Sequence, residues 1–461
     1  IFLIAGGPGS SSTVQFQNYL ESFWKDTNGN YDIITIDVRR TGFSGFRRCA
    51  GFCISAFRDE LKFLNTSNPQ LLSLFGTHEA AFDFRDLFQQ LEGEIYLVCV
   101  SYGTYLGNRI LAVAGNHVSG VVMDSTIDPR QIRWSFSEFS RGVSQGFQNL
   151  VELCDSQIPS CRQMFPTSFS QTLRNIWNAD QNLFCSQEIS KDQLVFVHNS
   201  MIGDSRIQEL VPYLYFNVEY CRVEEFQRVF FVIQNLASPE ISVFENSRYL
   251  RELVGTNELS NPNYTLTDFQ EEFGSKYPPL QNTLSLQQLE IQNRTSAFTY
   301  SDPNSRLVTP KSYPPVLFLQ SNIDMRTPFY QYVPFRDYLR SQGVPVQEVI
   351  FEKSPHVVLV WTYFKDENVF DTCGIQILSQ WILSGIVNDS CRNSTVVSTI
   401  RFSQPSINLR GYGFIRFQTD VDRNGDPKVS GWAVAFAVII CGGIIGLFLY
   451  TLIYESYQNL L

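Results

Sequence analysis

A serine, an aspartate and a histidine with the chemistry for nucleophilic catalysis occur in that order along the chain. Ser101 follows the apolar run 95–100 and precedes a helical stretch, the layout of a nucleophile elbow. In such an elbow a sharp strand-to-helix turn exposes the serine hydroxyl. The usual pattern is G-x-S-x-G, and here Cys99 takes the place of the first glycine while Gly103 keeps the second. A serine hydroxyl is a poor nucleophile, so this one needs a base, an orienting acid and oxyanion donors.

The base is chosen among four histidines. His356 follows the last apolar run, 346–351, and a loop at the carboxyl end of a parallel strand is where an α/β sheet places its site. His78 and His198 lie in polar or helical surroundings, and His117 precedes a strand in what we expect to be a surface turn. We therefore expect His356 to be the base.

Two aspartates compete for the role of the orienting acid. Asp324 follows the apolar run 316–320 and precedes His356, as the order serine, acid, histidine requires. Asp124 ends the run 118–124 and is the alternative. Either aspartate could instead cap a helix or turn. We expect Asp324 to be the acid.

The oxyanion donors are expected from a glycine-rich turn and from the elbow itself. Gly6 and Gly7 follow the first apolar run, and glycine lets a backbone turn its amides toward a developing charge without a side chain in the way. The backbone N–H of Tyr102, directly after the serine, is the second expected donor.

The elements that must position these residues follow a βαβ rhythm, which favours an α/β fold with a mostly parallel sheet and helices on both faces. The predicted strands are 1–4, 31–37, 94–100, 118–124, 316–320 and 346–351. The predicted helices are 13–23, 79–91, 102–114, 330–341 and 371–384. The rhythm stops between 127 and 312, which predicts a mostly helical cap inserted into the sheet domain. The domains expected are the first part of an α/β core at 1–126, the cap at 127–312, the second part of the core at 313–397, a juxtamembrane connection at 398–430, a transmembrane helix at 431–454 and a short cytoplasmic tail at 455–461.

Several ordered motifs resemble one known family. They are Gly6-Gly7-Pro8-Gly9, the segment 37–44, Ser101-Tyr102-Gly103-Thr104, the segment 124–129, Asp324 with Thr327-Pro328, and His356. In this order the set resembles the tripeptidyl- and prolyl-aminopeptidase-like serine peptidases of the α/β-hydrolase superfamily. The resemblance extends to about Cys391 and implies hydrolysis of peptide bonds near a free amino terminus, under a cap that restricts access.

The sequence departs from that family at several positions. Ala5 replaces a histidine, Arg40 replaces a glycine, Cys99 replaces the first glycine of the elbow, and Ser354-Pro355 replace paired glycines. The departures leave two alternatives to a peptidase: a catalytically inactive ectodomain that serves adhesion or assembly, and an esterase or lipase on the same triad. In the cap, the pairs Glu224-Glu225 and Glu271-Glu272 could hold a substrate ammonium, although exposed acidic pairs are more often solvated surface.

Residues 431–454 carry no charge and are long enough to cross a bilayer as one helix, with aromatic residues near both ends. We predict a single-pass anchor there. Gly442 and Gly446 form a G-x-x-x-G pattern, which permits close packing with a partner helix. The chain begins within an apolar run, so we expect a signal peptide and one or more strands upstream.

Cysteines and sequons indicate that the large domain lies outside the cell or in a lumen such as the lysosome. The disulfide pairing that we favour among the roughly 105 possible for eight cysteines is Cys49–Cys53, Cys154–Cys161, Cys185–Cys221 and Cys373–Cys391. The N-x-S/T sequons, which predict glycosylation, are at Asn65, Asn263, Asn293, Asn388 and Asn393.

Composition excludes other classes of function. A net charge of −10 without a basic stripe argues against a nucleic-acid partner. Scattered histidines and luminal cysteines indicate no metal site, and no motif implies a cofactor. The expected partners are a peptide substrate and the membrane.

Overall fold

The computed structural model describes residues 1–44, 69–130, 136–179, 183–202, 208–236, 247–259, 265, 267, 271, 300, 302, 307–362, 364, 370–394, 420–421 and 427–428. The chain divides into two compact units, Ile1–Pro405 and Ser406–Leu461. In the second unit the described residues are two short antiparallel strands, given below as β9 and β10.

Six parallel strands of the described chain form one sheet in the order β2-β1-β3-β4-β7-β8. The strands are β1 Phe2–Ile4, β2 Ile34–Thr35, β3 Tyr96–Val100, β4 Gly120–Asp124, β5 Leu183–Phe184, β6 Ile189–Ser190, β7 Val316–Ser321, β8 Val346–Phe351, β9 Asp420–Val421 and β10 Pro427–Lys428. The central strands β3, β4 and β7 are buried and apolar along nearly their whole length, as parallel strands covered on both faces must be.

Helices follow most strands and fill the segment between β4 and β7. They are α1 Ser12–Phe16, α2 Leu20–Asp26, α3 Thr77–Phe88, α4 Tyr102–Ala114, α5 Phe136–Glu152, α6 Pro159–Arg162, α7 Phe169–Asn178, α8 Lys191–Ile202, α9 Val211–Glu219, α10 Val223–Leu236, α11 Arg248–Glu258, α12 Phe329–Ser341, α13 Val358–Trp361 and α14 Cys373–Ser384.

Alternate residues of the strands face two separate hydrophobic cores, one on each side of the sheet. Cys99 and Met123 belong to the core shared with α3, α4 and α12. Val98, Val100 and Val122 belong to the core shared with α1, α2, α13 and α14. Each fully buried aliphatic side chain contributes about 1.5–3 kcal/mol to folding. The predicted fold class, a parallel sheet with helices on both faces, is confirmed.

Between β4 and β7, helices α5 to α11 and the small antiparallel pair β5–β6 replace the βαβ rhythm. Their aromatic residues pack on one another: Phe169 stacks on Phe165 at 5.0 Å, and Trp177 donates a hydrogen bond to Tyr215 Oη at 3.0 Å. Two disulfides, Cys154–Cys161 and Cys185–Cys221, join neighbouring turns of this helical segment.

Two element predictions were wrong in detail. The predicted helix 13–23 is two helices, α1 and α2, because the chain turns between Phe16 and Leu20. The predicted strand 31–37 shrinks to Ile34–Thr35, because β2 is an edge strand that pairs with β1 alone.

Among the described residues, no helix is both long enough and apolar enough to span a bilayer. The predicted anchor at 431–454, with Gly442 and Gly446, lies outside those residues.

Candidate active site

The carboxyl ends of five neighbouring strands bring the predicted residues to one edge of the sheet. The Gly6 turn follows β1, Ser101 follows β3, and Asp124 ends β4. Asp324 follows β7 and His356 follows β8. This edge is where an open parallel sheet presents a site, so topology alone gathers residues that are as many as 255 positions apart.

Ser101 is held in a strained backbone conformation between β3 and α4. Its φ of 56° and ψ of −124° are unfavourable for a residue with a side chain, and such strain concentrates at functional sites. The following chain must pass very close to β1. A Cβ on Gly103 would lie 2.5 Å from the Ile4 carbonyl oxygen and 2.7 Å from that of Ala5. The second glycine of the elbow pattern is therefore required by packing.

Cys99, which replaces the first glycine of the elbow, points away from Ser101 toward α4. A Cβ on Gly107 of that helix would lie only 2.5 Å from Cys99 Sγ, so Gly107 provides the space that the sulfur occupies. Cys99 is a free cysteine, fully buried, and burial raises the pKa of its thiol well above the ordinary value. The thiol therefore stays protonated and packs as a small apolar group.

Ser101, His356 and Asp324 form a continuous hydrogen-bonded chain. His356 Nε2 lies 2.9 Å from Ser101 Oγ. On the other side of the ring, His356 Nδ1 lies 2.9 Å from each carboxylate oxygen of Asp324. His356 and Asp324 are buried, at 4% and 1% exposure, whereas Ser101 is half-buried. The serine is thus the member that a substrate can approach.

The protonation pattern follows from Asp324. Burial by itself would raise its pKa, but the charge of His356 and hydrogen bonds from His356 and Thr327 outweigh burial and lower it. The carboxylate is therefore ionised and can only accept, so a His356 ring that carries one proton holds it on Nδ1 and leaves Nε2 as an acceptor. Ser101 Oγ–H then donates to Nε2, which is the arrangement that deprotonates a serine as it attacks.

Asp324 is oriented by its own loop. The backbone N–H groups of Arg326 and Thr327 donate to Oδ1 at 2.8 and 2.9 Å, and the Thr327 hydroxyl donates to Oδ2 at 2.8 Å. Thr327 Oγ1 also lies 3.3 Å from His356 Nδ1. From the sequence, Thr327 was identified only as part of a motif and not as a residue that orients Asp324. The signal for that role was a threonine three residues after an aspartate at the end of a strand.

The helical segment between β4 and β7 contacts the loop that follows β7 and carries Asp324. Asn149 of α5 donates to the Asn322 carbonyl at 2.6 Å, and Gln208 donates to the Ile323 carbonyl at 3.2 Å. A Cβ on Gly146 of α5 would lie 2.7 Å from the Met325 side chain and 3.2 Å from the Asp324 carbonyl. The inserted helices therefore help to fix the acid.

Asp124, the alternative acid, faces a different partner. Its carboxylate accepts the backbone N–H of Val358 at 3.1 Å and of Leu359 at 2.6 Å, at the start of α13. Burial raises its pKa to about 7, although these donors and the Ser125 hydroxyl counteract the rise. The structure thus places Asp324, and not Asp124, on the imidazole of His356.

The glycine turn and the Tyr102 amide flank Ser101. A Cβ on Gly6 would lie 2.8 Å from Ser101 Cβ and 3.2 Å from Ser101 Oγ, so any side chain at this position would collide with the nucleophile. Gly7 has φ 116°, a conformation that favours glycine. Tyr102 is the first residue of α4, where the helix itself does not use the N–H. Ser247, at the start of α11, donates its N–H to the Gly9 carbonyl at 2.7 Å and ties the turn to the inserted helices.

The other histidines lie elsewhere. His78 packs edge-on against Phe82 within α3, His117 follows α4 in a short helical turn, and His198 lies in the aromatic core of the inserted helices. Glu224 and Glu225 begin α10 and lie near Arg228 and Arg222, at 4.0 and 3.1 Å. Glu271 is exposed, and Glu272 lies outside the described residues. The described members of these acidic pairs therefore have the surroundings of solvated surface.

Among the described cysteines, three of the favoured disulfides are present: Cys154–Cys161, Cys185–Cys221 and Cys373–Cys391. Asn388 and Asn393 are exposed, so glycans at these sequons would reach solvent. The predicted sites Cys49, Cys53, Asn65, Asn263 and Asn293 lie outside the described residues.

Comparison of the sequence with known protein families and curated proteins finds no match. Solved structures that it resembles include a serine hydrolase from the polyaromatic hydrocarbon-degrading bacterium Cycloclasticus zankles, at 12% identity over 83% of this chain and 89% of that one, with a TM-score of 0.35. An esterase from Exiguobacterium antarcticum matches at 12% identity over 77% and 84%, with a TM-score of 0.29. Feruloyl esterase B from Aspergillus oryzae matches at 11% over 67% and 64%, with a TM-score of 0.24.

The class of fold follows from the chain itself. The parallel sheet, the strained serine between β3 and α4, and the order Ser101, Asp324, His356 are the arrangement of an α/β-hydrolase fold.

Proposed function

We propose that this chain is a serine hydrolase that works through Ser101, His356 and Asp324. The observation that supports the proposal most directly is the hydrogen-bonded chain from Ser101 Oγ through His356 to Asp324, with every link at 2.9 Å. A nucleophile, a base and an orienting carboxylate at these distances form a complete triad.

The reaction follows from the geometry. Ser101 Oγ bonds to the carbonyl carbon of an acyl compound while its proton passes to His356 Nε2, and Asp324 stabilises the resulting imidazolium. The oxyanion takes hydrogen bonds from backbone N–H groups of the Gly6–Gly7 turn and of Tyr102. The imidazolium then gives its proton to the leaving group as that bond breaks. Water hydrolyses the acyl-enzyme with His356 again as base, which releases the acid and restores Ser101.

We propose peptides with a free amino terminus as the substrate class. The support is the ordered set of motifs that resembles the tripeptidyl- and prolyl-aminopeptidase-like peptidases, from Gly6-Gly7-Pro8-Gly9 to His356. The contacts of α5 and α11 with the loop that carries Asp324 and with the glycine turn are consistent with a cap over the site.

A fluorophosphonate probe tests the serine hydrolase directly. The purified full chain should acquire one adduct on Ser101, and Ser101→Ala should abolish it. Ser379→Ala is a matched control, because Ser379 is buried in α14 with no hydrogen-bond partner for its hydroxyl among the described residues. A folded wild-type chain that takes no adduct on Ser101 would refute the proposal in favour of a non-catalytic ectodomain.

Substrate panels test the class. Peptides with a free amino terminus, the same peptides acetylated at that terminus, and short acyl esters should be compared at equal concentrations. We expect turnover of the free peptides to exceed that of the acetylated ones at least tenfold. Turnover of esters with none of the peptides would replace the peptidase by an esterase or lipase.

We propose further that the hydrolase domain lies outside the cell or in a lumen, anchored by a helix at 431–454. The three disulfides and the exposed sequons at Asn388 and Asn393 support an oxidising, glycosylating compartment. Digestion with an N-glycosidase should lower the apparent mass of the cellular protein, and alkaline carbonate should leave it in the membrane fraction. Release by carbonate would refute the anchor.

A further inference from the structure

The three backbone N–H groups that follow His356 all donate to two neighbouring residues at the end of β4. Val357 N–H donates to Ser125 Oγ at 2.8 Å. Val358 and Leu359 N–H donate to the two carboxylate oxygens of Asp124 at 3.1 and 2.6 Å. Ser125 Oγ in turn donates to Asp124 Oδ1 at 2.9 Å, so the two side chains act as one acceptor unit.

The backbone on both sides of this contact is strained. Val357 has φ 69°, a conformation that is a real outlier for a β-branched residue, and Ser125 has φ 57°. Such conformations cost about 1–3 kcal/mol each and persist only where surrounding bonds over-determine them. The hydrogen bonds between 124–125 and 357–359 join the two strained residues, and the N–H of Ser125 also donates to the Leu319 carbonyl at 3.0 Å.

The other side of His356 is fixed as well. Ser321 at the end of β7 donates its hydroxyl to the Ser354 carbonyl. His356 thus lies between one hydrogen-bonded backbone position at Ser354 and three at 357–359, and from there its ring reaches both Ser101 and Asp324. Ser101 N–H donates to the Asp124 carbonyl at 2.9 Å, so Asp124 also contacts the elbow.

We propose that Asp124 and Ser125 form a positioning pair that holds the His356 loop in its strained turn and so sets the hydrogen bond between His356 and Ser101. This inference rests on the proposed serine hydrolase. Among the described residues the Asp124 carboxylate makes no hydrogen bond to Ser101 Oγ, to the His356 ring or to Asp324, so its effect on the ring passes through the backbone of 357–359.

The competing possibility is that Asp124 only caps the short helix α13, and the chain offers a matched control for it. Asp155 also accepts two consecutive backbone N–H groups at the start of a helix, those of Phe169 at 2.6 Å and Ser170 at 3.1 Å. It does so at α7, among the inserted helices. Asp155→Asn therefore removes the same chemistry from a helix that does not carry His356.

The test compares Asp124→Asn with Asp155→Asn in the full chain, by fluorophosphonate labelling of Ser101 over a range of probe concentrations. A misplacement of about 1 Å in a catalytic group costs about 100-fold. We expect Asp124→Asn to lower the maximal labelling rate about 100-fold, with the half-saturating probe concentration changed less than threefold. Asp155→Asn should stay within threefold of wild type in both. Equal losses in the two variants, or a wild-type rate in Asp124→Asn, would overturn the positioning role.

If Asp124→Asn does not fold, Ser125→Ala takes its place, because it removes the acceptor for Val357 N–H and the hydroxyl donor to Asp124 Oδ1 but leaves the Asp124 carboxylate on Val358 and Leu359. We expect about a tenfold loss of the maximal labelling rate, and an unchanged rate would overturn the inference.

A readout without catalysis separates this inference from the proposed function. The proton between His356 Nδ1 and Asp324 should give a low-field proton resonance that Asp324→Asn removes. Asp124→Asn should shift or broaden it, and Asp155→Asn should not. Absence of labelling in the wild type would refute the hydrolase alone, while an unshifted resonance in Asp124→Asn would refute the positioning pair alone.

Discussion

Two histidines of this chain, His356 and His198, are both buried, but their rings have different hydrogen-bond partners. His356 and His198 are 4% and 0% exposed. His356 has the Asp324 carboxylate on Nδ1 and the Ser101 hydroxyl on Nε2. His198 has the Tyr215 hydroxyl on Nδ1 at 3.0 Å, and its Nε2 has no partner among the described residues.

Both histidine rings are buried, and they differ in their hydrogen-bond partners. Burial lowers the pKa of His198 to about 3, because no carboxylate offsets the loss of water around its charged form. Aromatic rings of Phe147, Trp177 and Tyr215 surround it. An imidazole in such a place stays neutral and packs. A buried imidazole that can accept a proton during catalysis needs an ionised partner, and of these two histidines His356 at the sheet edge has one among the described residues.

The largest expected effect comes from giving His356 a neutral partner like that of His198. Asp324→Asn keeps the shape of the acid but removes its charge and lets the amide donate, which disfavours the tautomer with the proton on Nδ1. We expect the labelling rate of Ser101 to fall about 10⁴-fold, the size typical of this change in a catalytic triad.

The control for that prediction is His198→Gln, measured under conditions where the variant is folded. It should label within threefold of wild type. A loss of less than tenfold in Asp324→Asn would show that the carboxylate does not separate the two histidines as described.

The second prediction concerns stability against pH. His198 has a folded-state pKa of about 3 against about 6.5 in unfolded chains, so its contribution is fully present above pH 6.5 and is lost as pH falls. The loss amounts to about 2 kcal/mol between pH 7 and pH 5. Asp324 behaves differently: its pKa is lowered from the ordinary value of an aspartate, so the stability it contributes is lost only as pH falls through that lower pKa.

Urea unfolding of wild type and His198→Phe at several pH values measures this effect. The difference between the two curves isolates His198, because the raised pKa of Asp124 affects both proteins alike. Tyr215→Phe serves as control, since it leaves His198 buried and should keep the wild-type pH slope. Parallel curves for wild type and His198→Phe would contradict the assignment of a buried, neutral imidazole at His198.

The smallest predicted effect tests the nucleophile side of the sheet edge. Gly107→Ala would place a methyl group against Cys99 Sγ and should lower the free energy of unfolding by about 1–3 kcal/mol. Cys99→Gly in the same chain should recover most of that loss, so a double-mutant cycle should show coupling of at least 1 kcal/mol. Additive effects would mean that the sulfur does not occupy the space at Gly107.

Much of the site could be predicted from the sequence because its parts are local signals. A buried strand followed by a serine and small residues predicted the elbow and the helix at 102–114. Polar residues at the ends of apolar runs predicted Asp324 and His356, since parallel strands bring their carboxyl ends to one edge.

The rest depends on which loops meet, and no local pattern carries that information. Asp124 looked like a rival acid because a strand-end aspartate has the right chemistry, but its carboxylate faces N–H groups 234 and 235 residues away. Ser125 was not identified from the sequence either, because its partner Val357 is also distant in the chain. The room for Cys99 depends on the face that α4 presents to β3, and the short β2 depends on its having a single neighbour in the sheet.

The contact between Gly107 and Cys99 also limits the order in which positions 99 and 107 can change during evolution. With glycine at 99, either glycine or alanine fits at 107. Once cysteine occupies 99, alanine at 107 collides with its sulfur, while a return to glycine at 99 stays open. Cysteine at 99 therefore arises at least cost in a lineage that already carries glycine at 107, and it makes alanine at 107 costly for as long as it remains.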